Sequence, residues 1–260
     1  MTDTQTPEAA RPIDLRARLK AGKACVGAWQ TVPSAKVTEA MASRGFHWLA
    51  VDLEHSAMSL ETVEACFIAA ERYGVAPMAR LPNADPYMAR RLLDTGAAGL
   101  IVPSVEDPDA FAAFAAHCVY GEKRGVGLSR CNAYGDTFEP YFNDFQPVLV
   151  AQIETRKGTE AADALAAMAT VDALFLGPYD LSVDLGTPGD FTSTAFTQAA
   201  QQVREACAKH GKVIGIHQIE SDDEALAAKA AEGYGFIAYA TDILAMRHAL
   251  GYPARTVDPE

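Results

Sequence analysis

The sequence predicts an α/β protein with a single (β/α)8 barrel, the TIM-barrel architecture, over residues 13–251. Eight short apolar runs alternate with helix-like stretches, and acidic, basic and imidazole side chains occur mainly where those runs end. The 260-residue length fits one such barrel, and no break in composition divides the chain. Runs that are apolar throughout are typical of parallel strands covered on both faces.

Each predicted strand is followed by a segment with helical periodicity. The predicted strands are Cys25–Gln30, Trp48–Leu53, Ala76–Leu81, Gly99–Pro103, Pro147–Ile153, Ala173–Gly177, Lys212–His217 and Phe236–Ala240. The predicted helices cover about residues 35–44, 60–73, 86–95, 108–117, 156–169, 195–210, 222–232 and 241–250, with a further helix at about 13–21. Ser34, Asp85 and Asp107 are predicted N-caps, the latter two each followed by proline.

Three segments fall outside this alternation. Residues 1–12 are predicted to be a disordered lead-in without the apolar core of a signal peptide, and residues 252–260 a loose tail. Residues 118–145 show no clear strand or helix. Because loops of this length are usually functional or disordered, we expect a substrate lid or a subunit contact here, with disorder as the alternative.

Composition excludes several classes of partner. The formal net charge is −12 and no basic stripe is visible, so nucleic acid is not expected. No apolar run approaches the ~20 residues of a membrane span. The five cysteines are irregularly spaced and form no CxxC, which argues against disulfides and a zinc site. We expect a soluble cytoplasmic protein that acts on small molecules.

Several catalytic motifs are absent. The first strand is followed by Thr31-Val32-Pro33-Ser34 and not by a glycine-rich phosphate loop, which disfavours a doubly wound nucleotide fold. No GxSxG elbow occurs. A Schiff-base enzyme needs a lysine pointing into the barrel, but Lys23 and Lys212 lie at predicted strand starts, on the wrong face.

Two carboxylates are candidate metal ligands. Glu154 follows the fifth predicted strand and Asp180 lies three residues beyond the sixth. Neighbouring strands would bring them together, and two carboxylates completed by water and substrate commonly hold Mg²⁺ or Mn²⁺. The alternative is that both are helix N-caps.

Polar groups also follow the second and third strands. Asp52 precedes His55 by three residues, a spacing that would let the carboxylate accept the ring N–H; the alternative is a solvated acidic turn. Arg80 ends an apolar strand, where a guanidinium needs an anionic partner. It is either a clamp on a substrate oxygen or a structural ion-pair partner of Asp52, Glu54 or Asp94.

Seven motifs in order resemble the class II, metal-dependent pyruvate aldolase family, which includes 4-hydroxy-2-oxoheptanedioate and 2-dehydro-3-deoxyglucarate aldolases. They are Val51-Asp52-Leu53-Glu54-His55, Ala79-Arg80, Leu93-Asp94-Thr95-Gly96-Ala97, Ile101-Val102-Pro103, Arg124-Gly125-Val126-Gly127, Gln152-Ile153-Glu154 and Leu176-Gly177-Pro178-Tyr179-Asp180-Leu181-Ser182. The resemblance runs from about Val26 to Leu250. It departs at Cys118–Gly121 and at His217 and Gln218, which leaves the aldehyde substrate open.

The resemblance implies a role for each matching residue. It implies metal binding by Glu154 and Asp180, contact with the 2-oxo oxygen by Arg80, proton transfer by His55 with Asp52, an acidic group brought near the site by subunit packing at Asp94, and substrate binding by Gln152, Gly177, Pro178 and Tyr179. We also assign Trp29 and Ser129 to substrate binding. The implied cofactor is Mg²⁺, Mn²⁺ or Co²⁺.

The function implied is an aldolase that joins a 2-oxo acid donor to an aldehyde, or reverses this reaction, through a metal-stabilised enolate. An oxaloacetate decarboxylase or an acyl-CoA-type lyase is the enzymatic alternative, and a non-catalytic binding barrel is another. A homohexamer is also implied. In the helix at about 241–250, Ile243, Leu244, Met246 and Leu250 cover more than one face, unless they pack under the N-terminal helix.

Overall fold

Eight parallel strands close into one barrel in the computed structural model, which describes residues 13–253. Each strand pairs with the next in the chain and the first pairs with the eighth, so the sheet has no free edge. The strands are β1 Cys25–Gln30, β2 Trp48–Asp52, β3 Ala76–Arg80, β4 Gly99–Val102, β5 Val148–Ile153, β6 Ala173–Leu176, β7 Val213–Gln218 and β8 Phe236–Tyr239. The predicted fold class is confirmed.

Helices surround the barrel. They are α1 Leu15–Lys20, α2 Ala35–Ala42, α3 Leu60–Glu71, α4 Pro86–Asp94, α5 Pro108–Ala116, α6 Phe138–Asp144, α7 Arg156–Ala167, α8 Pro178–Asp184, α9 Thr194–His210, α10 Asp223–Ala231 and α11 Asp242–Leu250. The predicted caps of α4 and α5 are confirmed, since Asp85 and Asp107 accept backbone N–H groups of the first turn. Ser34 precedes α2 but its side chain makes no cap hydrogen bond.

Alternate strand residues point into the barrel and form its inner core. Trp48 and Phe236 stack there with ring centroids 4.2 Å apart. Gly27 is required beside them, because a Cβ at this position would lie 1.9 Å from the Trp48 ring. The other strand residues pack against the helices in a separate, larger cluster. Side chains therefore fill the lower part of the barrel interior, which leaves the strand carboxyl ends as the part of the interior where a small molecule could bind.

The segment 118–145 is more ordered than the sequence predicts. It contains a 3₁₀-helix, Arg130–Gly135, and helix α6. Its centre is the buried Arg124, whose guanidinium lies 4.2 Å from the Tyr120 ring centroid and donates to the Tyr141 hydroxyl at 3.1 Å. Aromatic groups packed around one charge give no periodic pattern, which explains why sequence periodicity missed these helices.

Helix α8 is a second element that the sequence pattern does not predict. It begins directly after β6, with Gly177 as its N-cap residue and Pro178 at its first position. This places Asp180 in its first turn. The predicted lead-in and residues 254–260 of the predicted tail lie outside the described residues. Within residues 13–253, no helix combines the length and apolar character needed to cross a membrane.

Candidate active site

The carboxyl ends of the strands bring polar side chains to one end of the barrel. We call this end the barrel mouth and define it by Trp29, Asp52, Arg80, Gln152, Glu154 and His217. Five of these residues, all except Glu154, lie at the last or next-to-last position of their strand and share the inward-facing alternation of the core below them. Because all eight strands run parallel, residues far apart in sequence meet here, as the sequence analysis expected.

Arg80 and Asp52 form a buried, two-pronged ion pair at the mouth. The guanidinium Nε donates to Asp52 Oδ1 at 3.0 Å and a terminal nitrogen donates to Oδ2. The remaining terminal nitrogen lies 2.9 Å from a Glu54 carboxylate oxygen, and the group sits over the Trp29 ring at 4.9 Å. The predicted ion-pair partners Asp52 and Glu54 are therefore present, which also fixes the direction of the guanidinium.

The charge of Arg80 controls the ionisation of Asp52. Burial alone would raise the pKa of Asp52, but the hydrogen bond and positive charge of Arg80 outweigh this effect and lower the pKa below its ordinary value. Trp29 Nε1 adds a hydrogen bond of 3.2 Å to the same carboxylate. Asp52 is therefore a fixed anion that holds Arg80 and Trp29 in place.

The expected ring hydrogen bond between His55 and Asp52 is not formed in the part of the chain that the structure describes. Asp52 Oδ1 instead accepts the backbone N–H groups of Glu54 at 3.0 Å and His55 at 3.2 Å. These turn bonds and the Arg80 and Trp29 contacts use the acceptor positions of the carboxylate, and the His55 side chain is exposed. Asp52 therefore positions His55 through its backbone, which corrects the expected ring-to-carboxylate dyad.

Glu154 is held by neighbours on both of its oxygens. Gln152 Nε2 donates to Oε1 at 2.7 Å, and the backbone and hydroxyl of Ser104 donate to Oε2 at 2.8 and 3.0 Å. Thr155, and not Glu154, caps α7, so the N-cap alternative for Glu154 is wrong. Ser104 was not among the predicted site residues, because its only sequence signal is its place just after the fourth strand.

Gly177 brings the turn after β6 against Glu154. A Cβ on Gly177 would lie 2.6 Å from Glu154 Oε1 and 2.7 Å from its Cγ, so only glycine permits this approach. Pro178, Tyr179 and Asp180 follow in the first turn of α8. Asp180 is not the N-cap residue, because Gly177 occupies that position.

Three carboxylates at the mouth repel one another. Burial raises the pKa of Glu154, and the negative charges of Glu54 and Asp180 raise it further. Burial likewise raises the pKa of Glu54, with Asp52 and Asp180 adding to the effect against Arg80 and His55. This excess negative charge is what a bound cation would neutralise.

The oxygen groups at this position fit a hard divalent ion. Glu154 and Asp180 supply carboxylates, and the buried amide oxygen of Gln152 has no hydrogen-bond partner among the described residues. Residues 13–253 contain no group of three or more His, Cys, Asp or Glu placed to hold a metal. A set of two carboxylates that leaves positions to water and substrate suits Mg²⁺ or Mn²⁺ better than zinc.

Two assigned residues lie away from the mouth within this chain. Asp94 ends α4 and binds Arg124 at 2.8 Å, and Ser129 is the N-cap residue of the 3₁₀-helix. Arg130 in that helix contacts Glu71 and Thr95, which end or follow α3 and α4. Because helices run back from the strand carboxyl ends, these contacts place Asp94 and Ser129 at the opposite end of the barrel.

The sequence matches a described enzyme family along nearly its whole length. The model of the family "HpcH/HpaI aldolase/citrate lyase" matches residues 26–249. The hydroxypyruvate/pyruvate aldolase of Chromohalobacter salexigens is 34% identical over 230 residues, covering 86% of this chain and 89% of the relative. The 5-keto-4-deoxy-D-glucarate aldolase of Salmonella paratyphi A is 32% identical over 243 residues, covering 91% and 93%.

Solved structures of this family are also similar to the chain. An HpcH/HpaI aldolase/citrate lyase family protein from Burkholderia cenocepacia superposes with a TM-score of 0.86 at 28% identity, covering 94% of this chain and 98% of that chain. An HpcH/HpaI aldolase from Desulfitobacterium hafniense gives a TM-score of 0.85 at 26% identity, covering 94% and 96%. These matches show that the chain, with its eight-stranded barrel and its buried Arg80–Asp52 pair, belongs to the HpcH/HpaI aldolase/citrate lyase family.

Proposed function

We propose that this chain is a divalent-metal-dependent aldolase that reversibly cleaves 4-hydroxy-2-oxo acids into an aldehyde and a 2-oxo acid of the pyruvate or hydroxypyruvate type. Membership of the family makes it a carbon–carbon lyase. The names of the two relatives supply the donor class. The observation that carries the proposal is the mouth itself, where a buried guanidinium pairs with Asp52 and Glu54, and Glu54 lies within electrostatic reach of Glu154 and Asp180.

Glu154 and Asp180 would hold the metal ion, with the unpaired amide oxygen of Gln152 beside them. Divalent-metal dependence is general in this family. When bound, Mg²⁺, Mn²⁺ or Co²⁺ supplies Lewis-acid stabilisation to the enolate that forms when the carbon–carbon bond breaks. The hydrogen bonds from Ser104 and Gln152 orient Glu154 before any ligand arrives.

Arg80 would bind the 2-oxo oxygen of the donor. Two of its nitrogens are committed to Asp52, while the third faces Glu54, whose carboxylate is only half-buried. A substrate oxygen can therefore take the place of Glu54 without breaking the Asp52 pair. A donor fixed in direction and ready before the reaction lowers the barrier for charge that develops on oxygen.

His55 would transfer the proton to and from the hydroxyl formed at the new bond. Its side chain is exposed at the mouth, and the Asp52 turn fixes its backbone. An imidazole has one nitrogen that donates a proton and one that accepts a proton, so it serves as donor in one direction and acceptor in the other.

A metal-dependent oxaloacetate decarboxylase remains the alternative on the same barrel, because loss of carbon dioxide gives the same enolate. An acyl-CoA-type lyase is a further alternative. Neither is favoured by a particular contact among residues 13–253. The three reactions differ in the bond that breaks, so a substrate panel separates them.

A homohexamer in the cytoplasm completes the proposal. Ile243, Leu244, Met246 and Leu250 of α11 are 41%, 37%, 49% and 67% exposed, so they do not pack under α1. A second copy of the chain would cover them, and packing between copies is how Asp94 would reach a mouth. All five cysteines are free thiols, which suits a reducing compartment.

The test is a panel of 2-oxo acids and aldehydes, with oxaloacetate alone, assayed with Mg²⁺, Mn²⁺, Co²⁺ and with excess EDTA. We expect aldol products that depend on the metal ion. Glu154→Gln, which keeps the volume of the side chain, should abolish turnover and metal binding with an unchanged melting temperature in EDTA. Full activity in EDTA, or decarboxylation alone, would overturn the proposal.

A further inference from the structure

His217 is an inward-facing imidazole in an otherwise apolar wall of the mouth. It lies on β7 two residues above Gly215, on the same inward alternation. Its ring centroid is 4.7 Å from that of Trp29 and 6.5 Å from that of Phe175. The neighbouring strand β8 contributes Ala238 across from it. His217 is therefore the polar group on a side of the mouth that is built from aromatic rings and alanine.

One nitrogen of His217 has a partner and the other is free to bind a ligand. Nε2 lies 3.3 Å from the carbonyl oxygen of Ala240. A carbonyl oxygen only accepts, so Nε2 carries the hydrogen and Nδ1 keeps its lone pair. No described residue hydrogen-bonds to Nδ1, and this atom is not among the buried polar atoms without a partner, so it is not fully enclosed. His217 also lines a cavity together with Pro178 and Tyr179.

The ring stays neutral at neutral pH. Burial, with a smaller effect of the positive charge of Arg80, lowers the pKa of His217 to about 4, although the Ala240 hydrogen bond and Asp52 act in the opposite direction. The influence of Arg80 and Asp52 also means that the ring lies close to the groups assigned to the reaction. His217 is thus a fixed hydrogen-bond acceptor and not a cation.

The chemistry of the reactants decides what can bind to this acceptor. The carboxylate and keto oxygen of a 2-oxo acid, and the carbonyl oxygen of an aldehyde, all lack a hydrogen to donate. A hydroxyl group does donate one. A hydrogen-bond acceptor that stays without a donor in an apolar wall destabilises the complex, so a ligand that supplies the donor binds more tightly. With pyruvate as donor, a hydroxyl on the aldehyde is therefore the group that fits.

We propose that His217 is a specificity-determining residue whose Nδ1 accepts a hydrogen bond from a hydroxyl of the acceptor substrate, so that the enzyme prefers hydroxyaldehydes to simple aldehydes. This inference rests on the proposed aldolase function. His217 takes no part in bond making; it holds the acceptor so that its carbonyl carbon faces the donor.

The first test compares glycolaldehyde with acetaldehyde, which differ by one hydroxyl, with pyruvate as donor. We expect wild-type kcat/KM to favour glycolaldehyde, and His217→Leu to reduce that preference about tenfold, the value of one hydrogen bond. His217→Asn is the matched control, because its amide oxygen can stand near the position of Nδ1 and should restore much of the preference. The KM for pyruvate should not change in either variant.

Three kinetic results would overturn the inference. One is an unchanged preference in His217→Leu. Another is equal loss with both aldehydes. A third is a loss of kcat/KM in His217→Leu that appears only when hydroxypyruvate replaces pyruvate as donor, because that result would assign the contact to the hydroxyl of the donor.

A second test does not need turnover. Histidine labelled with ¹⁵N reports directly on Nδ1, so glycolaldehyde and acetaldehyde are added to the Mg²⁺-loaded protein without any 2-oxo acid. A change of the His217 Nδ1 resonance with glycolaldehyde alone supports the inference. Equal changes, or none, overturn it even if the aldolase reaction is found. A selective change in a protein that makes no aldol product would instead contradict the proposed function and leave the His217 contact intact.

Discussion

At the scale of single residues, the chemistry of the mouth depends on which charged side chains are held in one orientation by their neighbours. The Asp52 carboxylate accepts hydrogen bonds from the Arg80 guanidinium, the Trp29 indole and two backbone N–H groups. Glu154 is oriented in the same way by Ser104 and Gln152. Both carboxylates are prepared before a ligand binds, as electrostatic stabilisation of developing charge requires.

Arg80→Lys should reduce kcat/KM by about 10²–10³ although it keeps the positive charge. A lysine cannot reproduce the two-pronged contact with Asp52 and point a further donor at the substrate. Steady-state kinetics with saturating metal check this, and the melting temperature serves as the control for folding. Near wild-type turnover would mean that Arg80 is only a structural partner of Asp52.

His55→Ala should lower aldol turnover by about 10²–10⁴, the usual contribution of one acid–base group. Exchange of the methyl protons of pyruvate should suffer less if water performs that step. Product formation and proton exchange, followed by NMR on the same samples, give the two rates. Equal loss of both, or an unchanged pH profile, would argue against the proton-transfer role.

The Asp52–Arg80 pair should make the free energy of unfolding depend on pH in the acidic range. Arg80 holds the pKa of Asp52 below its ordinary value in the folded protein, so as pH falls the unfolded chain takes up the proton first. The stabilisation is present above about pH 4 and is lost as pH falls through the folded pKa. Urea unfolding between pH 2 and 6 measures it, and Asp52→Asn should flatten that part of the curve. An identical slope in the variant would contradict the prediction.

At the scale of elements, the junction between β6 and α8 determines how close two parts of the mouth can come. The turn at Gly177 touches the Glu154 carboxylate without any side chain of its own, and α8 then presents Asp180 in its first turn. The 3₁₀-helix and α6 likewise depend on tertiary contacts, because both pack around the buried Arg124.

Gly177→Ala should weaken metal binding at least tenfold, because its Cβ would lie 2.6 Å from Glu154 Oε1 and displace that carboxylate. Gly127→Ala is the matched control, since nothing lies within 4 Å of a Cβ there. Calorimetric titration with Mn²⁺ compares the two variants. Equal affinities would show that Glu154 moves aside without cost or does not bind the metal.

At the scale of the whole molecule, the barrel leaves one helix with an exposed apolar surface. Helix α11 buries only Asp242, and its apolar residues Ile243, Leu244, Met246 and Leu250 face outward. Asp242 binds the backbone of Thr31 and Val32, so the start of α11 is fixed at the end of β1 while the rest extends away.

We therefore expect a closed homo-oligomer, most simply the hexamer, in light scattering at micromolar concentration. Met246→Asp should lower the mass, because it buries a charge in the contact between copies. Ala164→Glu, on the exposed face of α7, is the control and should leave the mass unchanged. A wild-type mass of one chain, 27.7 kDa, would refute this prediction.

The sequence by itself determined the barrel and most of the residues at its mouth, although it did not indicate Ser104, and it assigned to the site Asp94 and Ser129, which lie away from the mouth within this chain. Eight apolar runs specify eight buried strands, whose ends agree with the structure to within one residue. The parallel order then requires that Asp52, Arg80 and Glu154 meet at one end. These features follow from local periodicity and chain order, and a sequence displays both.

Only the tertiary structure decided how those residues are paired. The spacing of Asp52 and His55 permits a ring hydrogen bond, but the carboxylate turns to Arg80 and to backbone N–H groups. Ser104 reaches Glu154 from the turn that follows β4, and the His217 ring on β7 packs against the Trp29 ring on β1. The direction of a side chain depends on all the groups that compete for it, and those groups are neighbours in space and not in sequence.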